Sequence, residues 1–118
     1  MNPYVTFLLA WLTYHGYPQV QRDAVWYVAR SESGLRSNAV APGGYVGLFQ
    51  YNGTRKYALV AYARAQGKPW TSIQVQLEFM DKEWRAMPAS REFFAATDRT
   101  TAVQVFCRNY EHSICWPR

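Results

Sequence analysis

Apolar residues recur at helical spacing along most of this chain, and one glycine-rich stretch interrupts them. From Pro18 to Ser31 the apolar positions fall on one face of a helix. They are Val20, Ala24, Val25, Val28 and Ala29. Residues 33–52 lack that spacing and carry a Pro-Gly-Gly turn at 42–44. The pattern predicts a mainly α fold with a small irregular β-hairpin or loop insertion.

The first predicted helix is short and apolar. The run from Val5 to Leu12 has no Lys or Arg before it and no small-residue cleavage site after it, so it is unlike a signal peptide. It is also far shorter than the roughly 20 residues that span a bilayer. Asn2 is placed to cap this helix, Pro3 suits its first turn and Gly16 its end. We therefore expect a buried first helix.

Helical spacing is found on both sides of the insertion. In the helix before it, Gln21, Arg22 and Asp23 are expected to face water, and Glu32 lies at the C-terminal end. After the insertion, four further helices are predicted. They run from Gly53 to Gly67, from a cap at Thr71 to Trp84, from Ser90 to Ala96, and from a cap at Thr97 or Asp98 to Tyr110.

Composition and charge favour one folded domain with an anionic partner. The chain has 118 residues, of which 49% are hydrophobic and 18% charged. A chain of this length has too little core to divide, so residues 1–118 are expected to form a single domain. A net charge of +5 favours encounter with polyanions. Nucleic acid, anionic lipid and bacterial cell wall would all qualify as such a partner. Because the basic residues are scattered and form no run, nucleic acid is disfavoured.

Glu32 is the carboxyl best placed for chemistry. It stands in the sequence Ser-Glu-Ser-Gly at 31–34, and no other carboxylate follows before Glu78. The unpaired carbonyls of a helix C-terminus, and burial beside Trp26 or Tyr27, would both disfavour its charged form. A carboxyl kept protonated in this way is suited to general acid catalysis. The residue alone leaves open the alternative of a solvated glutamate at a frayed helix end.

Two ordered motifs favour the catalytic interpretation. The segments Glu-Ser-Gly-Leu at 32–35 and Gly-Leu-Phe-Gln at 47–50 resemble the Glu-Ser and Gly-Leu-Met-Gln motifs of the soluble lytic transglycosylase and goose-type lysozyme group. The segments 32–53, 58–63 and 76–79 are similar to the phage tail lysozyme branch in particular. The resemblance covers the larger part of the chain.

The resemblance implies a lysozyme-like fold and an enzyme that degrades peptidoglycan. Its substrate would be the β-1,4 bond between N-acetylmuramic acid and N-acetylglucosamine, with Glu32 as general acid and no cofactor. Gln50 would contact the sugar through its amide, and Gly47 would let the backbone approach. Tyr110 resembles the late tyrosine that reaches the acid in these families. A packed aromatic on a helix is the alternative for Tyr110.

Two further residues are expected to line the substrate cleft. Ser33 is placed either to hydrogen-bond Glu32 or to cap local backbone, and the sequence does not rank these roles. Tyr51, with Tyr45 and Phe49, belongs to the aromatic residues of the insertion and is expected in the cleft.

The insertion supplies no second carboxyl. A hydrolase places one about 5 to 9.5 Å from the acid, as nucleophile or as base for water. The candidates are Glu83, on a predicted helix, and Glu111, near the end of the chain, with a solvated or structural role as the alternative. The late Ala-Tyr-Asn motif of transglycosylases is also absent, and residues 61–63 only partly resemble it. Hydrolysis and transglycosylation both stay open, and the single acid favours the second.

The cysteines and histidines predict no metal site. His15 and His112 have no Cys or carboxylate at ligand spacing, and Cys107 with Cys115 makes no zinc pattern. We hypothesise that the two cysteines form a disulfide on exposure to the periplasm, closing a short loop. Reduced thiols are the alternative, because the chain is made in the cytoplasm.

The sequence thus predicts a cofactor-free muramidase whose partner is the glycan strand of peptidoglycan. It would act in the bacterial periplasm or cell wall. With no export signal evident, delivery by a virion or a secretion machine is expected. The rival is a catalytically silent glycan-binding or virion structural module with the same cleft.

Overall fold

The computed structural model describes residues 2–112, which form a mainly helical body with one small sheet. The helices are α1 (Pro3–Tyr14), α2 (Gln19–Ser33), α3 (Gly53–Ala65), α4 (Ile73–Ala86), α5 (Ser90–Ala95) and α6 (Arg99–Phe106), and a π-helical turn (Cys107–Glu111) follows α6. The strands are β1 (Val40–Ala41) and β2 (Tyr45–Val46). The predicted fold class is confirmed.

Polar side chains cap four of the described helices, at Asn2, Asn52, Ser72 and Asp98. Asn2 Oδ1 accepts a hydrogen bond from the Tyr4 amide at the start of α1, and Asp98 accepts one from Thr101 at the start of α6, as predicted. The cap of α4 is Ser72 rather than Thr71, because Ser72 Oγ is the atom that accepts from the Val75 amide. Local chemistry therefore sets these helix boundaries to within one residue.

Helix α1 lies on the surface, so the prediction of a buried first helix is wrong for most of its residues. Leu8 and Leu12 are fully buried against the core, whereas Phe7 is exposed and Tyr14 is 86% exposed. The helix is apolar on both faces, and its sequence therefore could not indicate which face packs. None of the helices within residues 2–112 is long and apolar enough to cross a membrane.

The insertion contains the predicted hairpin. Strands β1 and β2 pair antiparallel, with Val40 opposite Val46 and Ala41 opposite Tyr45. Gly43 and Gly44 turn the chain between the strands with φ angles of 92° and 84°, a region that residues with a side chain rarely adopt. Backbone bonding continues beyond the strands, where the Gly47 amide donates to the Ala39 carbonyl. This bond joins the segment that leaves α2 to the segment that follows β2.

The core contains buried side chains from all six helices and from the insertion, and it is strongly aromatic. Trp84 packs edge-on against Phe93 and Phe106, with ring centroids 5.4 and 5.2 Å apart. Gln21 was predicted to face water but is buried beside this cluster. Its Nε2 donates to the Phe93 and Ala96 carbonyls at 2.8 and 2.9 Å. These bonds satisfy the C-terminal carbonyls of α5, which explains why a polar residue is buried on the inner face of α2.

Candidate active site

Glu32 is the penultimate residue of α2 and is half-buried. Gly34 ends the helix in the left-handed conformation, with φ of 65°, and Leu35 follows with φ of 64°. Ser33 is buried, and its Oγ donates to the Ala29 carbonyl at 2.9 Å. Of the two roles left open for Ser33, this bond corresponds to the local backbone role. These backbone angles and the Ser33 hydrogen bond define the end of α2, where Glu32 lies.

The Gly47–Gln50 loop is held against the segment that follows Glu32 by one buried side chain. Gln76 on α4 accepts a hydrogen bond from the Leu48 amide at 2.8 Å and donates to the Ser37 carbonyl at 2.7 Å. It also donates to the Trp70 carbonyl at 2.7 Å and is completely buried. Gln76, which lies in neither motif, therefore joins the Gly47–Gln50 loop to the segment that follows Glu32–Leu35.

Gly47 is required by this arrangement. Its φ is 81°, and a Cβ at this position would lie 2.7 Å from Gln76 Oε1. Real Cβ atoms do not approach an oxygen so closely, so any side chain would displace Gln76. The glycine therefore has a packing role in addition to the backbone approach predicted for it.

Gln50 closes the same loop. It has a φ of 55°, which is uncommon for a residue with a side chain. Its Nε2 donates to the Gly47 carbonyl at 2.9 Å, and the residue is half-buried. The predicted sugar contact of Gln50 would therefore use its amide oxygen.

Tyr51 and Tyr110 form a buried polar network with two charged residues. Their hydroxyls are hydrogen-bonded to each other, and the Tyr110 hydroxyl donates to Glu83 Oε1 at 2.8 Å. Arg55 forms an ion pair with the same Glu83 oxygen at 2.9 Å and also donates to the Tyr110 carbonyl. Its guanidinium lies 4.9 and 4.4 Å from the centroids of the two tyrosine rings.

The burial of both tyrosines changes their expected role. Tyr51 is 1% exposed and Tyr110 is fully buried, so neither ring presents a face on which a sugar could stack. Their hydrogen bonds hold the end of the insertion against α4 and the π-helical turn. Glu83, considered as a cleft carboxyl, belongs to this network.

Glu111 is a buried carboxyl whose ionisation is affected by the charge of Glu32. It ends the π-helical turn, and its Oε1 is buried without a hydrogen-bond partner among the described residues. Burial raises the pKa of Glu111 well above its usual value, and the negative charge of Glu32 raises that pKa further. Glu83 acts in the same direction, whereas Arg55 lowers the pKa. Glu32 and Glu111 are thus electrostatically coupled.

The raised pKa of Glu111 predicts a loss of stability as the pH rises through the weakly acidic range. The unfolded chain ionises this carboxyl near the ordinary glutamate pKa of about 4.3. The folded protein keeps the proton to a higher pH, so the unfolded state binds fewer protons in between, and the free energy of unfolding falls as the pH rises. Glu111→Gln should remove this fall and raise stability at neutral pH. Urea unfolding across this pH range tests it, and an equal fall in both proteins would contradict it.

The described residues offer no metal centre. Within residues 2–112 no group of three His, Cys, Asp or Glu side chains is arranged to hold an ion. His15 instead stacks on Trp11, with ring centroids 3.8 Å apart. Cys107 is buried in the π-helical turn, but Cys115 lies outside the described residues, so the disulfide stays a prediction.

Comparison with known proteins agrees with the motifs. The family described as phage tail lysozyme matches residues 8–114. The match includes the end of α2 with Glu32, the Gly47–Gln50 loop and the π-helical turn. No curated protein and no solved structure matches the chain. Because the family match spans nearly all of the sequence, the chain belongs to the phage tail lysozyme family.

Proposed function

We propose that this chain is a peptidoglycan-degrading muramidase in which Glu32 is the general acid. Membership of the phage tail lysozyme family supports a lysozyme-like activity on the cell wall. The observation that supports Glu32 is its position at the end of α2. Gln76 ties the segment that follows α2 to the Gly47–Gln50 loop. A loop fixed to the segment that follows Glu32 would help to hold a substrate in one orientation relative to the acid.

The reaction is cleavage of the β-1,4 bond between N-acetylmuramic acid and N-acetylglucosamine. Glu32 gives its proton to the glycosidic oxygen as the bond to the anomeric carbon breaks, and the N-acetyl oxygen of the sugar stabilises the resulting positive centre. The Gln50 amide oxygen and the Gly47 backbone hold the sugar. The net charge of +5 favours encounter with an anionic wall. This mechanism needs no cofactor.

The site of action is the periplasm or the cell wall of a bacterium. Delivery in a virion or through a secretion machine would bring the protein there, and components of either are the expected protein partners. Glycan strands are the substrate.

A silent glycan-binding or virion module with the same fold is the rival function. Zymography on purified cell walls separates the two, because an enzyme clears the gel whereas a binding module only sediments with insoluble wall. Retention on heparin or DNA without clearing would favour a nucleic-acid binder instead. We expect clearing, and wall binding without any clearing would contradict the proposal.

The expected product carries a 1,6-anhydro-muramic end. The insertion holds no carboxylate, and the Oε1 of Glu111 is buried, so neither offers an accessible base to activate water. The sugar's own 6-hydroxyl then attacks the anomeric carbon, with Glu32 accepting its proton. Digestion in ¹⁸O-labelled water should give label-free fragments lighter by one water. Fragments with ¹⁸O at the reducing end would instead make the enzyme a hydrolase.

A further inference from the structure

The net positive charge of the chain is concentrated in one segment. Residues 33–77 contain five basic residues and no Asp or Glu, whereas the rest of the chain contains eight basic and eight acidic residues. One of the five, Arg55, is paired with Glu83 on α4. The remaining positive charge lies on the insertion, on α3 and on the loop between α3 and α4. An anionic ligand is therefore attracted to this part of the fold more than to the rest of the surface.

A cavity lies within this segment, where α3 ends. Its volume is about 420 Å³, which is within the range of small-ligand sites, roughly 300 to 1,000 Å³. Trp70 in its wall is half-buried, so part of the side chain is accessible. The cavity combines this aromatic ring with two cationic side chains. The residues that line it are Val60 and Arg64 of α3 and Gly67, Lys68, Pro69 and Trp70 of the following loop.

The two cations of the cavity are available to a ligand. Arg64 and Lys68 are exposed, and within residues 2–112 neither side chain forms an ion pair or a hydrogen bond. The backbone that carries them is nevertheless fixed. The Lys68 amide donates to the Ala63 carbonyl and the Gly67 amide donates to the Arg64 carbonyl, both at 3.0 Å, which is the Schellman ending of a helix. Because this backbone is ordered before a ligand arrives, less ordering is needed on binding.

The cavity is connected to the candidate active site through Gln76. The Trp70 carbonyl accepts from Gln76 Nε2 at 2.7 Å, and Gln76 Oε1 accepts from the Leu48 amide of the Gly47–Gln50 loop at 2.8 Å. Trp70 and that loop are therefore held one side chain apart. A polymeric substrate is able to contact both places at once.

We propose that this cavity is a second binding site for the peptidoglycan strand. Arg64 and Lys68 bind a carboxylate of the strand, and Trp70 packs against the apolar face of a sugar. This inference rests on the proposed function. A guanidinium and an ammonium both donate charge-assisted hydrogen bonds to a carboxylate. The C–H face of a sugar ring and an aromatic ring remove apolar surface from water when they pack together. Peptidoglycan supplies both groups, because its strands are made of sugars and its peptides carry carboxylates.

Calorimetric titration of the full chain tests this site. The Glu32→Gln protein is the parent, because the proposed mechanism leaves the ligand intact in that variant. The probe is a soluble peptidoglycan strand with its peptides, and the comparison is chitohexaose, a neutral chain of N-acetylglucosamine. Adding Arg64→Gln and Lys68→Gln should weaken strand binding about three- to tenfold, the effect of losing two exposed ion pairs. Chitohexaose binding should not change. Unchanged strand binding, or equal weakening for both ligands, would overturn the proposal.

The matched control adds Lys82→Gln and Arg91→Gln to the same parent. It removes one Lys and one Arg that are both exposed, on α4 and α5. The net charge falls by the same amount in both proteins, so a general electrostatic effect would weaken strand binding equally. The control should keep the affinity of the parent, and an equal loss from both pairs would overturn the proposal. All four side chains are exposed, so melting should not change.

Two further results separate the cavity from other assignments. Duplex DNA that bound more tightly than the strand, and lost the same factor with Arg64→Gln and Lys68→Gln, would make the cavity a nucleic-acid site and overturn the proposal. Loss of strand binding on mutation of the cavity, in a chain whose wild type lyses no wall, would overturn only the muramidase assignment. Unchanged strand binding in a chain whose wild type is an active enzyme would overturn only the second site.

Discussion

Glu32→Gln is expected to abolish lysis of purified peptidoglycan while the protein stays folded. The amide keeps the shape of the side chain at the end of α2 but has no proton of suitable acidity to give. General acid catalysis is worth about 10² to 10⁴ in rate, so turnover should fall by at least that lower factor. Release of soluble muropeptides measures the rate, and circular dichroism with thermal melting checks the fold.

Glu78→Gln is the matched control for this experiment. Glu78 is also a half-buried helical glutamate, but its hydrogen bond is to Gln74 one turn earlier on α4. Its replacement should leave turnover at the wild-type level. Wild-type lysis by a folded Glu32→Gln protein would contradict the assignment of the acid.

Gln76→Met is expected to cause the largest loss of stability. Methionine fills a similar volume but makes none of the three hydrogen bonds of the buried amide, so the Leu48 amide and the carbonyls of Ser37 and Trp70 lose a partner. Each unpaired buried group costs about 1 to 3 kcal/mol. The free energy of unfolding should therefore fall by about 3 kcal/mol or more. Urea denaturation gives the value.

The neighbouring Gln74→Met provides the comparison. Gln74 is on the same helix, and its amide makes one longer bond, of 3.2 Å, to Glu78 near the surface. A surface change of this kind costs within about 0.5 kcal/mol. If both variants lost the same stability, the bracing role of Gln76 would be wrong. The rate of lysis by Gln76→Met should also fall by more than the loss of folded protein explains. The reason is that the Gly47–Gln50 loop is no longer tied to the segment that follows Glu32.

The parts of the fold that sequence could predict are those set by local chemistry. Asn2 and Asp98 cap their helices because the accepting oxygen is only two or three residues from the amide it meets. The Pro-Gly-Gly turn at 42–44 makes the hairpin because its glycines adopt positive φ without a penalty. Apolar spacing likewise predicted α2 with Glu32 at its end.

The features that the sequence could not predict depend on contacts between residues that are far apart along the chain. Gln21 and Gln76 are polar residues on inward faces. Gln21 donates to the Phe93 carbonyl 72 residues away, and Gln76 donates to the Ser37 carbonyl 39 residues away. A signal for Gln76 did exist, since it lies between Ile73 and Met80 on the apolar stripe of α4. A glutamine at such a position must find partners. No sequence pattern distinguished Arg55 from the other scattered basic residues.

The candidate site was predicted in part. The two motifs led to Glu32 and to the Gly47–Gln50 loop, and the structure joins these segments through backbone and Gln76. Tyr51 was expected in the cleft and is instead buried, and Tyr110 is also buried, because the Tyr110 hydroxyl is bonded to Glu83 on α4. Glu111 lies in the π-helical turn, whose irregular geometry no spacing pattern reveals.

Mass spectrometry of the fragments that the wild-type protein and Glu32→Gln release from purified peptidoglycan tests the central claim most directly. We expect wild-type fragments that end in muramic acid, in its anhydro form, and none above background from Glu32→Gln. Wild-type fragments that end in N-acetylglucosamine, fragments cut only in their peptides, or equal release by both proteins would contradict the claim that this chain is a muramidase with Glu32 as its acid.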